Sequence, residues 1–266
     1  MGCRLAMSLS ALALSSVWRA HELARSDAAA LDTGHAALNA VLPGGGWPQA
    51  GLSELLQPCP GCGEWGLLGP ALARLGASSR ITVLVAAPYV PFGPALSAAR
   101  LAPSNLLWVQ AASAAERLWA AEQALRCADV ACVLLWLEQA QSAQLRRLHL
   151  AALEHGKPFF VLRPERAQHE SSPAPLRLLL SWQNPQDGQG EQEGQKGQKG
   201  QSGAVPPLWV RVLKRRGPPL EARLPLLAVS PGLQALLAAS RAQARRRRRA
   251  VPLELVHAVD RAASLV

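Results

Sequence analysis

An α/β fold is what the sequence predicts: a mostly parallel sheet with helices on both faces, an antiparallel extension, and a C-terminal helical arm. Between residues 52 and 162, short apolar runs without polar alternation trade places with helix-length segments. That is the rhythm of strands buried on both faces and joined by crossover helices. Beyond Pro175 strand-like runs follow one another with no helix between them, which adds antiparallel strands to the same sheet. From Ser230 onward the pattern turns helical and basic.

In chain order, the parallel strands are predicted over 52–56, 81–87, 106–110, 130–137 and 159–162, with helices over 64–75, 114–126 and 140–155. The antiparallel strands are predicted over 176–182, 208–214 and 220–226. Between the first two of these lies 183–207, where glutamine recurs at 183, 186, 189, 192, 195, 198 and 201 among glycines and charges. Such a segment cannot bury a face. An expanded hairpin loop with a disordered insertion over 184–205 explains it, because each doubling of loop length costs only about 0.6 kcal/mol. The Gly-Gln-Lys repeats lack proline, which excludes a collagen-like reading. Ser230 and Pro231 open a helix over 233–244, and a second short helix is expected over 253–263. The chain therefore divides into an N-terminal helical segment (1–30), an α/β domain (31–229) and a basic helical arm (230–266).

With 266 residues, 49% hydrophobic and 17% charged, the chain is long enough for one sizeable core with appendages. No apolar run approaches the ~20 residues of a membrane-spanning helix. The start loosely imitates a secretion signal, with Arg4 before an apolar run, but Met7 offers a second start and no small-residue cleavage site follows. Ala6 stands where a myristoylation signal needs Ser or Thr. Cysteines at positions 3, 59, 62, 127 and 132 lack the spacing of a disulfide framework, so reduced cytoplasmic thiols are expected. Cys59-Pro60-Gly61-Cys62 is a C-x-x-C by spacing, suited to redox exchange or half a zinc site. With no second pair at ligand spacing, ordinary loop cysteines are the simpler reading. The net charge of +10 owes six positive charges to Arg241, Arg245, Arg246, Arg247, Arg248 and Arg249. Such a run attracts nucleic acid or an acidic surface, or else stays solvated.

The turn between the first parallel strand and its helix is where an α/β protein holds phosphate, on backbone N–H groups and the helix N-terminus. Here it reads Gln57-Pro58-Cys59-Pro60-Gly61-Cys62-Gly63-Glu64-Trp65. In the working motif, G-x-x-x-x-G-K-[ST], lysine contacts the β and γ phosphates and the hydroxyl holds Mg²⁺. Gly61 and Gly63 leave the loop recognisable, but Glu64 and Trp65 follow, and a carboxylate repels phosphate while an indole cannot ligate magnesium. The strand over 130–137 ends on Trp136 where a metal-binding aspartate is wanted. Glu138 nearby suits the surface. His21, His35, His149, His155, His169 and His257 are scattered, without a nucleophile or paired carboxylate at readable spacing. Neither a cofactor, a metal nor a catalytic residue is expected.

Thr33-Gly34-His35 with Leu38, then Leu42-Pro43-Gly44-Gly45-Gly46-Trp47-Pro48 and Gly61-Cys62-Gly63-Glu64, resemble the ImuA family of translesion-synthesis proteins. The resemblance continues through Val90-Pro91-Phe92, Pro94-Ala95-Leu96, 119–126, Arg146-Arg147-Leu148, Ser172-Pro173-Ala174, Leu176-Arg177-Leu178 and Lys214-Arg215-Arg216-Gly217. It covers nearly all of 18–226 and implies a RecA-like fold without RecA chemistry. The RecA pattern places the phosphate-binding lysine at or beside Glu64 and the water-activating glutamate at Pro88. It leaves only a turn at 138–142 for the first DNA-binding loop, and about 163–175 for the second.

The resemblance implies a non-enzymatic, cytoplasmic and nucleoid-associated adaptor of the SOS response. Its expected partners are ImuB, an error-prone DNA polymerase III alpha-type subunit and RecA, with DNA a further partner for the basic arm. Candidate contact residues are Lys214, Arg215 and Arg216, and, on the arm, Leu233, Leu236 and Leu237 with Arg245, Arg246, Arg247, Arg248 and Arg249. Leucines beside a cationic run suit docking of a helix in a groove. An alternative is SulA, an inhibitor of cell division that is also RecA-like, lacks nucleotide chemistry and acts on FtsZ. A third is an ATP-using enzyme.

Overall fold

The computed structural model describes residues 29–182, 207–220, 223–227 and 239. In chain order its elements are β1 (Ala30–Leu31), α1 (Ala36–Asn39), β2 (Trp47–Pro48), β3 (Gly51–Gln57), α2 (Glu64–Gly76), β4 (Ile81–Val85), α3 (Gly93–Ala98) and β5 (Leu106–Val109). There follow α4 (Ala114–Arg126), β6 (Val130–Trp136), α5 (Ser142–Glu154), β7 (Pro158–Pro164), β8 (Leu176–Ser181), β9 (Leu208–Lys214) and β10 (Arg223–Leu226). Short 3-10 turns lie at Pro43–Gly45, Pro103–Asn105 and Glu165–His169.

Strands β3 to β10 form one eight-stranded sheet in the order β10-β9-β8-β3-β7-β6-β4-β5. The strands from β8 to β5 in that order are mutually parallel, and β9 and β10 extend the sheet antiparallel beyond β8. From β3 the chain crosses by α2 to β4, then returns through β6 to β7, which fills the place beside β3. The carboxyl ends of β3, β7 and β6 therefore converge where the chain changes direction, the position at which open α/β sheets bind ligands.

Alternation along each strand feeds two cores. Leu55, Leu84, Leu134 and Phe160 face Leu67, Leu68, Ala71 and Leu72 of α2, while Leu52, Val83, Val133 and Phe159 face Leu118, Ala121 and Leu125 of α4 and Leu145, Leu148 and Ala152 of α5. Each such side chain contributes roughly 1.5–3 kcal/mol by leaving water, so the almost wholly buried strands β3, β6 and β7 take the central places. On β9, Leu208, Val210 and Val212 are buried while Trp209, Arg211 and Leu213 are half-buried, the alternation of a strand with one core-facing side. Helix α4 begins at a capping box in which the Ser113 hydroxyl accepts from the Glu116 N–H (3.2 Å) and the Glu116 carboxylate from the Ser113 N–H (3.0 Å).

The segment before β3 clasps α2, and Pro70 explains how. Inside α2, Pro70 has no N–H to give the Gly66 carbonyl four residues earlier. His35 Nε2 lies 3.2 Å from that carbonyl oxygen; with the carbonyl able only to accept, Nε2 is the protonated nitrogen. Gly34, at φ +80°, lets the backbone come so close that a Cβ there would lie 2.2 Å from the Pro70 side chain. Asp32 completes the clasp, accepting from the Gly34 N–H at 2.7 Å and pairing with Arg74 at 2.8 Å. Thr33-Gly34-His35 thus serves packing.

Several expectations are revised. Ala30, assigned to an N-terminal helical segment, instead pairs with Pro48 in β1–β2. β4 ends at Val85 and β10 begins at Arg223, both shorter than expected, while α1, α3 and the β1–β2 pair add to the expected elements. The rest of the 1–30 segment, the 184–205 insertion and, Ala239 apart, the 230–266 arm lie outside the described residues.

Candidate functional site

At the carboxyl end of β3 the chain enters the loop 58–63 and then α2, whose N-cap is Gly63 at φ +99°. A Cβ on Gly63 would lie 2.9 Å from Leu208 and 3.0 Å from Trp182, so the start of β9 and the residue after β8 close over the loop. Glu64 does not face solvent. It is 2 % exposed, and its Oε1 accepts from the Gly61 N–H at 2.8 Å.

This is the geometry of a phosphate cradle occupied by the protein's own carboxyl group. The backbone N–H groups of Glu64, Gly61 and Gly63 act on Glu64, as does the Trp136 indole. The indole does so without a hydrogen bond of normal geometry, since both its nitrogen and Glu64 Oε2 are buried and unpartnered among the described residues. The two residues that the sequence singled out as defects, Glu64 and Trp136, are thus brought together. Trp65, the third, is partly buried against the α2-side core. Glu138 and Pro88 are exposed. Among the described residues no group of three or more His, Cys, Asp or Glu side chains is placed to hold a metal.

Burial pushes the Glu64 carboxyl above its ordinary 4.5, and its donors offset this only in part. The folded state then holds the proton more tightly than the unfolded chain, so the contribution of Glu64 to stability is greatest in acid and is lost as pH rises from 4.5 through the folded-state value. Glu64→Gln is expected to flatten that decline in urea unfolding followed from pH 4.5 to neutrality; parallel curves for the two proteins would contradict it.

Cys59 and Cys62 are joined in a disulfide within the same loop. The expectation of ordinary reduced cysteines is corrected here, because the turn between β3 and α2 brings their Cα atoms to 5.8 Å, inside the range a disulfide spans.

A charged network missed at the sequence level lies on the side of β3 that bears Leu52. Glu54, fully buried, receives Arg163 Nη1 from β7 at 2.9 Å and Arg177 Nε from β8 at 2.5 Å. Arg163 also reaches Glu170 at 2.6 Å, and Arg177 donates to the carbonyls of Ala167 (2.7 Å) and Gln168 (3.3 Å). Burial alone would lower the Arg163 pKa, but the bonds to Glu170 and Glu54 outweigh it and hold the group above its usual value. The segment 163–175, where the resemblance places a residual DNA-binding loop, is pinned to the sheet by these bonds.

At the opposite end of the sheet, Lys214 donates to the Ser172 carbonyl at 3.0 Å and Arg215 donates to the carbonyls of Pro218 (3.1 Å) and Val41. Two of the three basic candidates thus carry structural bonds. Arg215 and Arg216 also line a cavity of about 390 Å³ together with His149, Pro48 and Leu153. Desolvation lowers the His149 pKa, reinforced by Arg216, Arg146 and Lys214, which marks this end as cationic. Leu233, Leu236, Leu237 and the arginines 245–249 lie outside the described residues.

The fold and the loop define an α/β protein with a mostly parallel sheet, in which the usual phosphate position at the switch point is filled from within. No family model matches the chain. Over 109 residues it is 30% identical to the cell division inhibitor SulA of Edwardsiella piscicida, covering 41% of this chain and 65% of that protein, so the match spans less than two thirds of its relative. Among solved structures, SulA from Pseudomonas aeruginosa is 28% identical with a TM-score of 0.36, covering 42% of this chain and 97% of the other. The sequence relationship to SulA is therefore shown over part of the chain. Among the described residues no helix is long and apolar enough to cross a membrane.

Proposed function

We propose that the chain is a non-enzymatic protein-interaction module related to SulA, working in the SOS response as an adaptor for translesion synthesis. In this reading it bridges ImuB, an error-prone polymerase III alpha-type subunit and RecA, is cytoplasmic and nucleoid-associated, and brings its basic arm to DNA. The observation that carries the non-enzymatic reading is the Glu64 carboxyl in the cradle, bonded to the Gly61 N–H. A phosphate arriving there would find its donors engaged, no lysine, and an indole in place of the magnesium-binding carboxylate. The ordered motifs from Thr33-Gly34-His35 to Lys214-Arg215-Arg216 favour the translesion adaptor.

The match to a cell division inhibitor favours a second reading, a SulA-like inhibitor acting on FtsZ. Co-purification with the tagged full chain from DNA-damaged cells separates the two. Recovery of ImuB is expected, and recovery of FtsZ without ImuB would replace the adaptor by the inhibitor. Micromolar Mg-ATP affinity in calorimetric titration would remove the non-enzymatic premise of both.

A further inference from the structure

We propose that Cys59 and Cys62 form a dithiol–disulfide exchange site, with Cys59 as the sulfur attacked, Cys62 as the sulfur released, and a dithiol as the reductant. Three observations converge on it. First, the pair is bonded across a sequence separation of only three residues, where a crosslink removes little loop entropy and contributes least to stability. Stapling the fold is a poor account of it. Second, the sulfurs are unequal: Cys59 is exposed and Cys62 is 6 % exposed, so an incoming thiolate has access to one end of the bond. Third, Cys62 immediately precedes Gly63, the N-cap of the thirteen-residue helix α2. The positive end of that helix, shared with the Glu64 carboxyl, favours a thiolate released beside it, and a better leaving thiolate speeds exchange.

The steps balance without a further oxidant. A thiolate of the reductant attacks Cys59 Sγ, the Cys59–Cys62 bond breaks, and its electron pair leaves on Cys62 Sγ, which takes up a proton. The reductant's second thiol then displaces Cys59 Sγ, closing the reductant's own disulfide, and Cys59 takes the second proton. Two electrons and two protons have moved.

Reduction also has a structural consequence. Gly61 lies between the two cysteines and gives its N–H to Glu64. Opening the ring frees the residue that anchors the buried carboxyl. Tyr89, the only tyrosine of the chain, lies over Gly61, where a Cβ would meet its ring at 3.5 Å, and so reports on the loop.

The test uses the full chain in dithiothreitol buffers of graded reduced-to-oxidised ratio, with free thiols mass-tagged after quenching. Residues 59 and 62 are expected to titrate together in one two-electron step. With an aromatic disulfide as probe, Cys62→Ser is expected to form a mixed disulfide on Cys59 about tenfold or more faster than Cys59→Ser forms one on Cys62. In fluorotyrosine-labelled protein the single ¹⁹F resonance should move on reduction, and should ignore dithiothreitol in the Cys59→Ser variant. Equal labelling rates, a pair that stays reduced at every ratio, or a resonance unmoved through complete reduction would overturn the proposal.

Discussion

Glu54→Gln is expected to lower the unfolding free energy by about 3–5 kcal/mol, the usual cost of removing one partner from a buried ion pair. Urea unfolding at neutral pH measures it. The amide has the carboxylate's shape, so little packing is lost; what changes is charge. Arg163 is fully buried and the Arg177 side chain is 9% exposed, and without Glu54 only Glu170, 48% exposed, remains to balance them. Glu170→Gln should therefore cost less than about 1 kcal/mol, as a half-exposed pair does. Replacing the buried set together, Glu54→Leu with Arg163→Met and Arg177→Met, should recover most of the loss, because the only charge left without its partner is the half-exposed Glu170. A single-variant cost near that of Glu170→Gln would mean that water reaches the network.

The network shows where sequence reasoning stops. Leu52-Ser53-Glu54-Leu55-Leu56 reads as a buried strand and forms one, but the run also carries a carboxylate. Its partners come from β7 and β8, 109 and 123 residues away, and periodicity within one segment says nothing about charges that meet across strands. A carboxylate inside a strand meant to be covered on both faces was itself the clue, since such a group must be paired. His35 and Pro70 pose the same difficulty: a proline inside a helical pattern signals an orphaned carbonyl, yet nothing local says which side chain answers it.

The βα rhythm, by contrast, was legible to within a few residues, because parallel strands covered on both faces leave uninterrupted apolar runs that no exposed segment sustains. At the loop, the sequence showed which chemistry was missing at Glu64, Trp65 and Trp136. It did not show that Glu64 turns inward and takes the Gly61 N–H, beside the left-handed Gly63 over which Trp182 and Leu208 close. Lys214 and Arg216 are exposed and Arg215 is half-buried. Two of them nevertheless satisfy carbonyls that the pattern could not reveal.

Trp47→Ala is expected to cost about 3–5 kcal/mol, in the range for emptying a buried aromatic site. The indole is fully buried in the core beneath α2 and meets the Phe160 ring edge-on, 5.3 Å between centroids. Truncation would open a cavity between the β1–β2 pair and β7 that rigid strands cannot collapse to fill. Trp47→Phe should cost much less, because it keeps the ring-to-ring contact and the indole nitrogen it removes has no hydrogen-bond partner among the described residues. The neighbouring glycine serves the same closure: a Cβ on Gly46 would lie 2.3 Å from the Leu31 carbonyl oxygen, so only glycine lets β1 and β2 pair. Gly44-Gly45-Gly46-Trp47-Pro48 therefore acts from inside the fold at Gly46 and Trp47. Thermal unfolding and partner co-purification on the same two variants check this together. Trp47→Phe should retain partner binding, while Trp47→Ala should lose it only in proportion to the protein unfolded; loss of binding in a stably folded Trp47→Phe protein would instead place the partner contact at this loop.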